Sequence, residues 1–337
     1  NKAVEADAGS WRAYWFRGLV RQRLDDHQGA IADIDKVFGL EPPADNAWQF
    51  YKARALSKQV EGHYPAAEED LTKAISLQKG DAELYVRRAL VRDFQHNFEG
   101  AIEDYTTLSG LAPQYEEAYL GRGQAKARLG DYAGAMEDLD AAVYLAETKS
   151  RVYSTRGRVK LAKGDVEDGL ADFDKGVELA ADKSQAHFSR GLARFDTGDA
   201  KGARADFEEA LKLDPKGLEY AALYRCLARR SLGEAAEARK EMKAFLDQRE
   251  KKDDWFSKVA RFLAGDLIEK DFLTAAKSKN PTLTSQQSCE AYWYAGALKR
   301  IAGDNATAKD YFQRCVATKQ HHFIEYESAV WALKAKK

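Results

Sequence analysis

Small and apolar residues recur along this chain with a beat of about 34 residues. The stretch 116–147 shows it most clearly, reading EEAYLGRGQAKARLGDYAGAMEDLDAAVYLAE. Gly123 lies in its first half and Gly130 at its centre, and Tyr132, Ala135, Leu139 and Ala142 share one helical face of its second half. Related stretches start near Trp11, Trp48, Ala82, Ser150, Ser184 and Glu219. Each predicts two antiparallel helices. Small residues in mid first helix (Gly18, Ala55, Ala89, Gly157, Gly191, Cys226) and early in the second let the two backbones approach. Aromatics such as Tyr105, Phe173 and Phe207 fill the gap toward the next pair.

The same beat marks its own interruptions. Residues 1–10 match the end of a second helix, which reads as a truncated preceding repeat or an N-terminal cap. Residues 11–248 hold seven tandem units, with three extra residues around Pro43 to Asn46 that disturb the stacking locally. Over 249–288 the phase is lost. A charged connection, Arg249 to Trp255, leads into an irregular helix pair, and the polar, Pro281-containing stretch Lys277 to Gln287 predicts a loop. A last unit covers 289–322, and an amphipathic helix over 323–337 is expected to cap the array.

A two-helix unit of this length resembles the tetratricopeptide repeat. The resemblance implies an all-α fold, a right-handed α-solenoid of antiparallel helix pairs with about eight units plus irregular helices and a C-terminal capping helix.

A second periodicity is charged. An arginine precedes each small residue of the first helices: Arg17, Arg54, Arg88, Arg122, Arg156, Arg190 and Arg225. Sixteen residues later stands Asp33, Asp70, Asp104, Asp138, Asp172 or Asp206 in six of the seven units. An antiparallel hairpin sets these positions at similar heights, so pairs such as Arg122–Asp138 and Arg156–Asp172 form a ladder of partly buried ion pairs. A row of catalytic or anion-binding arginines is the competing reading, but catalysis needs one unique constellation, not a recurrent one.

Charge narrows the classes further. Lys plus Arg number 53 against 54 Asp plus Glu, which implies no extended nucleic-acid footprint. No run of apolar residues is long enough for a membrane span. Peripheral anchoring is left only to a segment that precedes Asn1.

Catalytic chemistry finds little foothold. No HExxH, phosphate-binding loop, GxSxG or paired-cysteine zinc motif occurs. No catalytic residue, metal site or cofactor is predicted. His27, His63 and His96 fall in successive inter-helix turns, and His321 and His322 with Glu325 form a loop rather than a metal site. Cys226 occupies a small-residue slot as a buried thiol. Cys289 and Cys315 stand near the two meeting ends of the last hairpin, where a disulfide is geometrically open. Two packed thiols, or a thiol nucleophile, are the alternatives.

The repeat resemblance also implies which positions face a ligand: the second, fifth, ninth, twelfth and thirteenth of each unit. Here they supply Trp15, Leu19 and Gln22, then Lys52 and Leu56, Leu90 and Phe94, and Gln124 and Arg128. Arg158, then Phe188 and Phe195, and finally Leu227 continue the set. It is apolar for a solvated groove, and contiguous apolar surface marks a partner site. Tight curvature that buries much of it is the alternative. Leu56 follows Lys52 where chaperone-binding repeats carry their clamp asparagine, so acidic chaperone tails are not the expected ligand.

From Trp255 onward the resemblance narrows. Val259, Phe262 and Gly265, then CEAYWYAGALKRIAGDNATAKDYFQRCVATK and FIEYESA, are similar to the end of bacterial NlpI-type lipoproteins. That likeness implies a helical adaptor in the periplasm or cell envelope, with the cytoplasm as the alternative. The chain is thus expected to be a non-catalytic scaffold or adaptor that binds a protein or peptide in its concave groove. A regulatory module of a larger enzyme encoded upstream, or a homo-oligomeric scaffold held by self-association, are the other readings.

Overall fold

The computed structural model describes residues 2–334, and every regular element among them is a helix. Asn1 of the expected N-terminal segment and residues 335–337 of the expected closing helix lie outside the described residues. The chain divides into two compact units, 1–147 and 148–337.

The first unit opens with a short helix, α1 (Lys2–Ala6), followed by four helix pairs. These are α2 (Trp11–Arg23) with α3 (His27–Gly39), α4 (Ala47–Val60) with α5 (Tyr64–Leu77), α6 (Ala82–Phe94) with α7 (Phe98–Leu111), and α8 (Glu116–Arg128) with α9 (Tyr132–Leu145). The three extra residues between the first two pairs form a 3-10 turn, Ala44–Asn46. The second unit holds α10 (Ser150–Lys163) with α11 (Val166–Leu179), α12 (Lys183–Asp196) with α13 (Ala200–Leu213), and α14 (Glu219–Ser231) with α15 (Ala235–Gln248). The shorter α16 (Trp255–Ala264) and α17 (Glu269–Ala275) follow, then α18 (Pro281–Ile301) with α19 (Asn305–Ala317), and α20 (Ile324–Lys334).

The turn inside each pair has a common chemistry. One residue takes a left-handed conformation, Gly130 at φ 85° for example, and the next caps the second helix. Asp26, Asn97, Asp131, Asp199 and Asp304 each accept a backbone N–H three residues on with their side chain. The small residues act as expected. A Cβ added to Gly157 would lie 2.8 Å from the Gly169 carbonyl oxygen, so α10 and α11 sit as close as two backbones allow. Ala30, Ala67, Ala101, Ala135, Ala203 and Ala238 occupy the same repeat position and are all fully buried.

Two expectations change. The stretch Lys277 to Gln287 is not a loop throughout. Pro281 is the first residue of α18, and the Asn280 side chain caps it by accepting from the backbone N–H of Thr282 and Leu283. Proline suits a first helical turn, whose N–H groups have no intrahelical partner, so the helix begins eight residues before Cys289. Helix α20, expected to cover the free end of the last pair, packs on α18 and α19 but also reaches back to α12.

Candidate functional site

The arginine–aspartate ladder is structural. Arg17, Arg54, Arg88, Arg122 and Arg156 each hold their aspartate by two hydrogen bonds, from Nε and Nη2 to its two oxygens, and Arg190 holds Asp206 in a similar fork. Such forks are charge-assisted and fix orientation. Sequence reasoning missed the second cation one helical turn on. Arg21, Lys58, Arg92, Lys126, Lys160 and Arg194 reach the same aspartates at 2.8–3.1 Å. The seventh unit, which has no aspartate, uses Glu241 between Arg225 and Arg229 instead. The i, i+4 spacing of the two cations on each first helix was the readable signal. Further bonds join neighbouring pairs, from Arg54 to Asp35 and from Arg190 to Asp174. The bond to Asp138 holds the Arg122 guanidinium above its ordinary value. Each of these aspartates is thus shared by two cations.

What is left for a ligand in the first unit is the inner face of α2, α4 and α6. Leu19, Leu56, Val60, Tyr64 and Phe94 line an open cavity of about 540 Å³ there. Gln22, Arg23, His27, Gln59 and Arg87 complete its wall, with no carboxylate among them. Val60 is 64% exposed and Phe94 39%, the latter stacked on Tyr64 with ring centroids 5.2 Å apart. Leu24, 73% exposed, lies beside this face on α2's end.

The predicted ligand-facing residues of this unit divide by role. Leu19, Leu56 and Phe94 line the cavity. Leu90, Gln124 and Arg128 are half-buried. Trp15 packs edge-on against the buried Phe50 with 4.8 Å between centroids, and so belongs as much to the core as to the surface. Gln22 lines the cavity, but its amide donates to the Ala53 carbonyl and to Ser57 Oγ, both at 2.7 Å, tying α2 to α4. Lys52 is half-buried and paired with Glu83, which also takes Arg87 at 2.5 Å.

The second unit is different. Phe188, Phe195 and Leu227 were expected to face a ligand, and all three are core, at 4%, 4% and 0% exposure. The reason is local. Helices α16 and α18 return against α14 and α20 against α12, and Trp293 of α18 packs against Phe195 and Tyr224. Helix α20 completes the cover. Ser328 Oγ donates to Asp196 at 2.8 Å, and Trp331 Nε1 donates to the Asp196 carbonyl at 2.7 Å. Arg158 is exposed but already pairs with Glu327 of α20 at 3.4 Å.

Beneath α20 lies a buried acidic cluster that the sequence did not reveal. Glu325, weighed as a metal partner for His321 and His322, instead accepts hydrogen bonds from Tyr224 and Tyr294 at 3.1 and 3.3 Å. Tyr220 donates to Glu290 at 3.1 Å. Burial pushes the Asp196 carboxyl up to about 7. Burial, reinforced by the nearby Glu325 charge, raises Glu290 to about 8. Burial also raises Glu325, and it lowers the Arg300 guanidinium, whose charge acts on Asp196. Hydroxyl donors make these carboxyls tolerable inside the fold.

Cys289 and Cys315 meet as expected, their sulfurs 3.4 Å apart and fully buried, as two free thiols. Cys226 is buried, and burial pushes its thiol up to about 11, which keeps it unreactive. Among the described residues no group of three or more His, Cys, Asp or Glu side chains could hold a metal ion. No helix among them is long and apolar enough to cross a membrane.

Comparison with known proteins bears on the repeats. The tetratricopeptide repeat model matches residues 86–150 and 154–217. No curated protein matches the chain. Among solved structures, a tetratricopeptide repeat protein from Parabacteroides merdae is 17% identical with a TM-score of 0.60, over 75% of this chain and 98% of its own. A thermophilic protein of the same repeat type from Thermus thermophilus is 21% identical with a TM-score of 0.47, over 53% of this chain and 97% of its own. At such identities the first likeness is one of fold. Over 86–150 and 154–217 the chain matches the tetratricopeptide repeat model, and its all-α architecture of helix pairs is consistent with a non-catalytic protein-interaction scaffold.

Proposed function

We propose that this protein is a non-catalytic adaptor whose first unit holds a segment of a partner protein on the inner face of α2, α4 and α6. The observation that carries this reading is the open cavity between Leu19, Leu56, Val60 and Phe94. These apolar side chains stay accessible, while the arginines and lysines of the ladder turn to the aspartates of the second helices. An accessible apolar concavity with few polar groups is what a binding site requires. A place in the bacterial cell envelope, implied by the likeness of the C-terminal residues to NlpI-type lipoproteins, is part of the same proposal, and cell fractionation checks it.

Photocrosslinking in cells tests the docking face. A benzophenone side chain at Val60 is expected to give discrete protein adducts. The same group at Tyr144, which is 86% exposed on α9, is expected to give none of these. Identical adducts from both positions, or none from Val60, would contradict the reading.

A further inference from the structure

The repeats allow one position to be compared between the two units, because the second unit shows what its own inner face accepts. Counted from Ser184, Asp196 is the thirteenth residue of its repeat. It is the polar anchor of α20, taking the Ser328 hydroxyl on its carboxylate and the Trp331 N–H on its carbonyl. Helix α20 therefore meets this face with hydrogen-bond donors and apolar rings. In the first unit the thirteenth positions that line the cavity are Arg23, Val60 and Phe94, counted from Trp11, Trp48 and Ala82. None is an acceptor, and one is a cation.

The rest of the cavity adds no opposing charge of its own. Its wall holds Arg23, Arg87 and His27 and no carboxylate, with Asp25 3.9 Å from His27 Nε2. Arg87 is already committed to Glu83. Arg23 is exposed and makes no ion pair among the described residues, so its charge is available. The His27 Nδ1 atom is buried without a hydrogen-bond partner. In the same cavity Leu56, Val60 and Phe94 offer an apolar surface for large side chains.

We infer that the first unit recognises an acidic segment of a partner protein, one that sets a large apolar side chain into the cavity and a carboxylate against Arg23. The inference rests on the docking proposal above and names the chemistry of the occupant. It differs from α20 in its polar half. The face that α20 covers presents a carboxylate, whereas this face presents a guanidinium, so the occupant must bring acceptors. Charge pairing governs which partner is chosen and how fast it binds, while the apolar surface holds it.

Selection from a random peptide display library on the purified full chain tests this, with the wild type, Arg23→Glu and Leu56→Asp as baits. Peptides enriched on the wild type are expected to carry a net negative charge beside a Leu, Phe or Trp. Their affinity is expected to fall about tenfold with Arg23→Glu, one close charge pair inverted at a partly desolvated cavity wall, and to weaken with added salt. Selection on Arg23→Glu is expected to favour lysine- and arginine-bearing peptides. Wild-type peptides that lose affinity with Leu56→Asp but are neutral or basic, or that ignore Arg23→Glu, would overturn the acidic preference while leaving the docking face standing. Failure to enrich any peptide sensitive to Leu56→Asp would overturn both. Mutual enrichment of sequences like that of α20, with self-association of the chain, would identify a second copy as the occupant and overturn the assignment to a different protein.

Discussion

The two units are built from the same repeat and treat its inner face in opposite ways. In the first, the ninth and thirteenth positions of the repeats leave Leu19, Leu56, Val60 and Phe94 around an open cavity. In the second, Phe188, Phe195 and Leu227, at the fifth, twelfth and ninth positions, have become core beneath α16, α18 and α20. The fold of a single repeat does not decide whether its inner face binds something. What decides it is whether the chain itself supplies a cover, and among the described residues the second unit does so. The aromatics of that face, Phe188 and Phe195 against Tyr224, are locked in ring contacts that suit a permanent neighbour rather than an exchanging one.

The difference predicts unequal responses to the same chemical change. Phe195→Asp places a carboxylate in a closed core and is expected to destabilise the second unit by about 4 kcal/mol or more. Leu56→Asp is expected to cost less than about 2 kcal/mol, because water already reaches that side chain. Thermal unfolding of the two variants checks this, and equal losses would mean that the first unit's face is closed as well.

The ladder, by contrast, is common to both units, so it should respond equally. Asp104→Ala and Asp206→Ala each remove the buried carboxylate shared by two arginines, leaving Arg92 to Glu68 and Arg190 and Arg194 to Asp174, and are expected to cost about 3 kcal/mol apiece. Denaturant titration of each variant measures it. A loss confined to one of them would show that the two scaffolds are not equivalent after all.

Acidity separates the units again. Asp196 and Glu290 are raised to about 7 and about 8 by burial. A carboxyl raised in the folded state binds its proton more tightly there than in the unfolded chain. Its contribution is complete below the ordinary carboxylate range, near 4, and is lost as pH rises through 7 to 8. Amide exchange, corrected for its intrinsic pH dependence, should therefore show protection of α20 falling between about pH 5 and pH 9. In the first unit the sign is reversed. Against the opposing effect of burial, Arg92 and Gln95 hold Glu68 below its ordinary value, so α5 should keep its protection across that range. Parallel behaviour of α5 and α20 would remove the distinction.

The smallest expected effect concerns the cysteines. Labelling of the native chain should leave Cys226, Cys289 and Cys315 unmodified, since all three are buried. Mild oxidation of the unlabelled protein should join Cys289 to Cys315, whose sulfurs already touch, without involving Cys226. A peptide map distinguishes that product from any other pairing.

How much of this the sequence held follows from the range of each interaction. The helix pairs were readable because Gly123, Gly130 and Ala135 recur at fixed spacing, and the ladder because its partners stand sixteen residues apart in the same hairpin. The α18 start is hidden because Pro281 reads as a breaker in a polar stretch, although behind Asn280 it opens the helix. The covered face of the second unit was not readable. It depends on Trp331 meeting Asp196 across 135 residues, and no local period records such a contact. The same distance hid the tyrosine cage around Glu325, whose partners Tyr224 and Tyr294 lie in different repeats.

The central claim is that the first unit's inner face is open and the second's is filled by the chain's own helices. Carbene footprinting of the native full chain, read residue by residue by mass spectrometry, addresses it directly. Leu56, Val60 and Phe94 should be modified, while Phe188, Phe195 and Leu227 should stay unmodified until the protein unfolds. Modification of the second set in the native protein, or protection of the first, would contradict the account.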